Sequence, residues 1–152
     1  MIGKMQPAAI ETLLAAQSLG RIGCADGKKV YVVPVNYVYH DGCIICHSLA
    51  GMKIDIMRKQ PDICFEVEAI QSYTEWQSVI AWGRFEELQT DPERKAAMDL
   101  LVEKMMRLKL SESAIVPERT EERVHPRAPG YIRPVLFRIR LTEKTGRFEH
   151  AD

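Results

Sequence analysis

The segment from Val30 to Lys53 constrains this chain more than any other. An apolar run, Val30-Tyr31-Val32-Val33-Pro34-Val35-Asn36-Tyr37, leads to a turn at His40-Asp41-Gly42. A second short strand, Cys43-Ile44-Ile45-Cys46, ends on His47-Ser48, and Leu49-Ala50-Gly51-Met52-Lys53 opens a helix. Two apolar runs separated by Asp-Gly read as a hairpin. The hairpin thus empties into a polar strand-to-helix junction with a lysine on the first turn. Backbone N–H groups at a helix start, with a cation beside them, suit an anion such as a phosphate.

Within the first strand, Tyr31, Val33, Val35 and Tyr37 share one face, and Val32, Pro34 and Asn36 the other. Pro34 donates no ladder hydrogen bond, which places it on an edge, at a bulge or where the ladder opens. Both faces are largely apolar, so the strand is expected to be buried on two sides, as a barrel wall that also meets a second subunit.

The rest of the chain divides into short elements. Pro7 to Leu19 reads as a helix stopped by Gly20, and Gly20 to Ala25 as a strand. Ala50 to Lys59 is a short helix with Ser48 as its N-cap and Pro61 just past its end. Ile63 to Glu68 alternates as a strand, and Trp76 to Leu88 is a longer one in which Gly83 marks a bend or a close backbone approach. Asp91 caps a helix whose apolar face includes Ala97, Leu100, Leu101, Met105 and Leu108. Met98, Met105 and Met106 read as packing on that helix. Ser111 to Gly130 is a long charged loop, in which His125 is a loop residue. Tyr131 to Leu141 closes the order as a strand, with Arg133 and Arg138 exposed on it. Strands joined by tight turns, with helices at the ends or seams, predict a mainly β protein built as one antiparallel barrel domain over 1–152.

Composition excludes several classes. Lys+Arg and Asp+Glu number 21 each, so there is no net basic field to hold a nucleic acid. No run of about 18 apolar residues is present for a membrane span. The N-terminal residues lack the apolar centre of a signal peptide, so a cytoplasmic protein is expected. Cys43 and Cys46 form a C-x-x-C, which invites a redox or zinc reading. On a strand, however, residues an odd number apart point to opposite faces, so the two sulfurs diverge and read as buried thiols.

The order and spacing of these pieces resemble the FMN-binding split-barrel superfamily, the group of the pyridoxamine 5′-phosphate oxidases and nitroimidazole-resistance (Nim) flavoproteins. The likeness rests on Val32-Val33-Pro34-Val35-Asn36-Tyr37, Asp41-Gly42 and His47-Ser48-x-x-Gly51-x-Lys53. It extends to Pro61-Asp62-Ile63-Cys64-Phe65-Glu66-Val67 and Ala81-Trp82-Gly83-Arg84-Phe85, and is closer to the Nim-like branch. The Arg-Leu-x-Pro segment of true pyridoxamine phosphate oxidases has no counterpart in Thr145–Asp152, so the likeness does not extend to vitamin B6 oxidation.

The resemblance implies an antiparallel split barrel that forms a homodimer and binds FMN at the interface. It implies that Lys53 and Ser48 hold the phosphate, that the Val33, Pro34, Val35 and Asn36 backbone lines the isoalloxazine, and that Trp82, from either subunit, packs on the ring. His47 is the candidate catalytic residue, holding substrate or relaying a proton near the flavin. The implied reaction is reduction of a small organic, possibly nitro-aromatic, substrate; neither a nucleic acid nor a membrane is an expected partner. The alternatives at this stage are a deazaflavin in place of FMN, or a non-catalytic flavin or haem module with His47 or His125 as axial ligand.

Overall fold

The computed structural model describes residues 1–108 and 133–152. The expected loop over 111–130, with His125, and the first two residues of the expected last strand, Tyr131 and Ile132, lie outside the described residues. The elements are β1 (Ile2–Lys4), α1 (Pro7–Ala16), β2 (Leu19–Asp26), β3 (Lys29–Asn36), β4 (Val38–His40), β5 (Cys43–Ser48), α2 (Met52–Lys59), β6 (Asp62–Ser72), β7 (Glu75–Glu87), α3 (Asp91–Arg107) and β8 (Val135–Glu149).

The strands form one antiparallel sheet in the order β3-β2-β6-β7-β8-β5-β4, with β1 added on β8. The sheet curls without closing, because β3 and β4 have no ladder between them: this is a split barrel. β8 is long enough to serve two neighbours, pairing β5 through Val135–Arg140 and β7 through Phe137–Glu149. The ladder between β7 and β8 shifts register between Trp82 and Gly83. A Cβ on Gly83 would stand 2.4 Å from the Arg140 carbonyl oxygen, so only glycine admits the approach that bends the sheet there.

The inner face holds the main core. Phe65, Phe137, Ile22, Ile44 and Ile139 are fully buried, closed over by Leu13 and Leu14 of α1 and by Ile54 and Met57 of α2. Burying each of these side chains contributes roughly 1.5–3 kcal/mol. Glu11 ties α1 to β4 and β8, accepting from Tyr39 Oη at 2.6 Å and pairing with Lys144. A second cluster lies on the outer face, where Ala97, Met98, Leu101 and Val102 of α3 cover Val38, Ile45, Leu88 and Leu136.

Several expectations need correction. α1 ends at Ala16, and Leu19 and Gly20 belong to β2. Gly20 is small because its Cβ would lie 2.3 Å from the Phe65 ring, not because it stops a helix. The apolar run after Val30 is two strands, β3 and β4, that change partners at Tyr37. Within the single chain one face of β3 packs on the core and the other is open, Val30 being 75% and Val32 62% exposed, so the expected second cover would have to come from another subunit. Thr90, not Asp91, caps α3, its Oγ1 accepting from Glu93 N. Met98 packs as expected, but Met106 and Leu108 are exposed. Finally, β8 runs eight residues past Leu141 to Glu149, because its polar alternating half faces water on one side and α1 on the other.

Candidate functional site

The site follows from the change of partner at Tyr37. Asn36 is the last residue of β3 and Val38 the first of β4, so one extended run serves opposite ends of the sheet. Tyr37 N donates to Ser18 O at 3.0 Å, turning its peptide edge toward β2. By the two-residue alternation of a strand, Val33 and Val35 also turn toward β2, and Val32, Pro34 and Asn36 turn their backbone groups outward. Pro34 therefore sits where its missing N–H costs the ladder nothing, on the edge strand the sequence requires. The outward carbonyl of Pro34 and the N–H and carbonyl of Asn36 form a polar edge with no ladder partner among the described residues.

The other wall of the opening is β5. β4 pairs with Cys43–Ile45, so Cys46, His47 and Ser48 run on with no ladder on that side among the described residues while β8 holds the other. β3 and β5 thus part at Tyr37, leaving a split between two edges that carry no ladder among the described residues. α2 begins beside it, and its far end is fixed: Arg58 makes bidentate bonds of 2.9 and 2.7 Å to Glu87, and Lys59 pairs with Asp26 at 3.7 Å.

Lys53 lies in the first turn of α2, half-buried, with no ion-pair or hydrogen-bond partner among the described residues. The capping residue is Gly51, and Ser48 is not the N-cap: its Oγ donates to Leu49 O at 2.8 Å. His47 is half-buried opposite Leu136. Burial holds its imidazole below the usual histidine range, with its own backbone hydrogen bond opposing weakly, so it is neutral at physiological pH. Cys46 is fully buried in the inner core and Cys43 in the outer cluster, so the C-x-x-C pair points to opposite faces as its spacing requires. Burial drives the Cys46 thiol strongly upward, against a smaller downward pull from Lys53.

Trp82 is elsewhere. It projects from the outer face of β7, 39% exposed, opposite Cys64 on β6. Leu88, hydrogen-bonded to Leu136 beside His47, is six residues further along the β7 line, or about 20 Å. Val33–Asn36 thus lie along one side of the split, His47, Ser48 and the start of α2 follow one another along the other, and Trp82 stands on β7, away from both. Trp82 instead walls an outer groove of about 730 Å³ with Val30, Val32, Cys64 and Arg84. Its floor is Gly23, where an added Cβ would meet nothing nearer than Cys64 at 3.7 Å. The signal for this groove was present in the apolar outward residues of β3, but the glycine floor shows only once β2, β3 and β6 are in register.

Comparison with known proteins bears on this geometry. Half of a curated, uncharacterized Rhizobium meliloti (strain 1021) protein is matched, at 34% identity over 76 residues that make up half of this chain. A solved FAD-binding protein from Mesorhizobium loti is similar across 97% of this chain and 98% of that one, with TM-score 0.73 and 26% identity. A candidate 5-nitroimidazole antibiotic resistance protein from Bacteroides thetaiotaomicron VPI-5482 shares the fold over 97% and 87% of the two chains, with TM-score 0.70 and 17% identity. The family model described as pyridoxamine 5′-phosphate oxidase matches residues 6–148, nearly the whole of the sheet and all three helices. By that match the chain belongs to the pyridoxamine 5′-phosphate oxidase family, in its split-barrel form with Nim-like neighbours.

Proposed function

We propose that this protein binds FMN in the opening between β3 and β5, as a homodimer, and reduces a small organic substrate. The observation that carries the reading is Lys53: a half-buried cation with no partner among the described residues, at a helix start beside two free strand edges. Leaving an ammonium in such a place is costly unless an anion completes it. One lysine matches one phosphate monoester, which favours FMN over a dinucleotide. Ser48 Oγ reaches the same phosphate by turning away from Leu49 O. The Asn36 N–H and the Pro34 and Asn36 carbonyls offer the donor and acceptors that a flavin's pyrimidine edge requires. Val33 and Val35 turn their backbone groups to β2 and their side chains to the core, so their part is to hold Pro34 and Asn36 in place rather than to bond the flavin.

When bound, the flavin supplies the electron transfer, with a nicotinamide donor as the source of reducing equivalents. The protein supplies the phosphate clamp, the polar edge and exclusion of water. His47, neutral at physiological pH, is the candidate group for holding substrate or passing a proton. Trp82 is too far from the opening to touch a flavin held in its own chain, so its ring contact, if made, comes from the second subunit of the dimer. The family membership and the flavin-binding Mesorhizobium neighbour support the flavin; a nitro-aromatic substrate is supported only by the likeness to the Nim-like fold.

The test is the visible spectrum of the purified protein, with FMN and FAD titrations and the mass of any co-purifying cofactor. Flavin absorbance that follows FMN with one bound per chain is expected; no uptake of either flavin sinks the reading. A non-catalytic ligand-binding role rests on the same neutral, half-buried His47, and a Soret band on haem titration in place of flavin uptake would favour it.

A further inference from the structure

We propose that Lys104 and Tyr37 form a positioning clamp that sets the opening of the split, giving α3 control over the β3 edge that faces the flavin. The proposal rests on the flavin reading for its functional consequence, though not for the clamp itself.

Tyr37 is the point where the two walls diverge, and it is held from every side. Its Oη donates to Leu14 O at 2.7 Å, and its backbone N donates to Ser18 O at 3.0 Å. Its ring meets Phe65 edge-on, with centroids 5.0 Å apart and planes at 77°. Lys104, from the last turns of α3, places Nζ 4.6 Å from the centre of the same ring and donates to Gln17 O. Three carbonyls at the end of α1, those of Leu14, Gln17 and Ser18, are thus engaged by two side chains and one amide. The last carbonyls of a helix have no partner inside it and carry its negative end. α1 has no basic residue in its own last turn, so Lys104 supplies that charge from another element.

The contact is specific in its chemistry. Lys104 is only 7% exposed, and an ammonium has three donors to satisfy. Among the described residues it makes one hydrogen bond and one cation–π contact. The charged group that acts on it most is Arg107, which repels it. An apolar residue would be easier to bury at this position. What the lysine supplies instead is a tie between α3, α1 and the residue at which β3 becomes β4. Loosening that tie frees Asn36 and Val38, the residues on either side of the junction, one of which belongs to the polar edge of the opening.

Amide hydrogen exchange of the full, unliganded chain tests the clamp, with FMN titration as the second readout. Lys104→Met keeps the aliphatic stem and removes the charge and the donor. Exchange at the bonded amides of Tyr37 and Val38 should speed up by about tenfold, and FMN should bind about tenfold more weakly. The melting temperature should hold, since a buried charge has been replaced by an apolar side chain. Lys104→Arg should recover part of both effects, and Tyr37→Phe, which keeps the ring but loses the bond to Leu14 O, should reproduce the exchange. Unchanged exchange at Tyr37 and Val38 in Lys104→Met overturns the clamp. Faster exchange with unaltered FMN affinity overturns its control of the opening. Should the wild-type protein take up no flavin, the flavin reading fails while the exchange result still decides the clamp.

Discussion

Two open regions of this molecule differ in what they lack. Among the described residues, the split between β3 and β5 lacks partners for polar groups: the outward carbonyls of Pro34 and Asn36, the Cys46–Ser48 edge turned from β8 and the Lys53 ammonium. The outer groove between Val32 and Trp82 lacks a cover for apolar ones, and its floor is the bare backbone of Gly23. Unsatisfied hydrogen-bonding groups next to a cation ask for a polar, anionic ligand. An uncovered apolar sheet face asks for a surface that removes it from water. On the proposed reading the first would hold a ligand and the second a partner surface, which would account for the distance between Trp82 and the β3 edge within one chain.

The strongest way to break the comparison is at the bend that shapes the groove. Replacing Gly83 with valine puts a Cβ 2.4 Å from the Arg140 carbonyl oxygen, in backbone that cannot step aside without undoing the ladder between β7 and β8. A loss of about 3 kcal/mol or more is expected, read as a lower chemical-denaturation midpoint with the slope unchanged. A valine tolerated there within experimental error would mean the bend is not fixed by close approach.

Next in size is a pH effect centred on the split. Burial first, and then Arg107, brings the Lys104 ammonium down to about 8 from its ordinary 10.5. The unfolded chain therefore binds this proton more tightly than the folded one. Stability from Lys104 rises as pH increases from about 8 to 10.5, and is absent below that window. The full difference is roughly 3 kcal/mol. The buried Cys46 thiol acts the other way above about pH 9, because burial raises its pKa and the unfolded chain loses that proton first. The measurement is accordingly the wild-type stability minus that of Lys104→Met across pH 7 to 10, where both share the cysteine contribution. A flat difference would show that Lys104 is better solvated than its surroundings imply.

Lys53 gives the sharpest separation of the two regions. Lys53→Met should weaken FMN about thirtyfold, the loss of one charge-assisted contact to phosphate, while leaving self-association and melting temperature close to wild type. Equal FMN affinity in the variant would move the phosphate away from α2.

How much of this was legible in the sequence depended on how local the cause was. The barrel class, the edge position of Pro34, the divergence of Cys43 and Cys46, and the constraint at Gly83 are written in alternation, ring chemistry and the absence of a side chain. The change of partner at Tyr37 is not, because an unbroken apolar run looks the same whether it pairs with one strand or two. The helix stop assigned to Gly20 went wrong for a related reason: the glycine makes room for Phe65, which is 45 residues away in the chain. Ser48 read as a cap because a serine near a helix start usually is one, whereas here Leu49, Ala50 and Gly51 intervene before the helix begins. Lys104 gave no signal at all. A lysine in the last turn of an exposed-looking helix is ordinary until α1 and Tyr37 are seen to close over it.

The smallest expected effect tests the groove alone. Val32 is 62% exposed in the single chain and borders the groove without entering the inner core. Val32→Thr keeps the shape and the branched strand preference and adds one hydroxyl. If the outer face is open to water, the hydroxyl is solvated and stability shifts by no more than about 0.5 kcal/mol in either direction. If a second subunit covers that face, the same hydroxyl must be desolvated at the interface, and the dimer should dissociate at several-fold lower dilution in sedimentation while FMN binding per chain holds. Equal self-association of variant and wild type, with a dimer present, would place the interface on another face and leave the groove as a pocket in its own right.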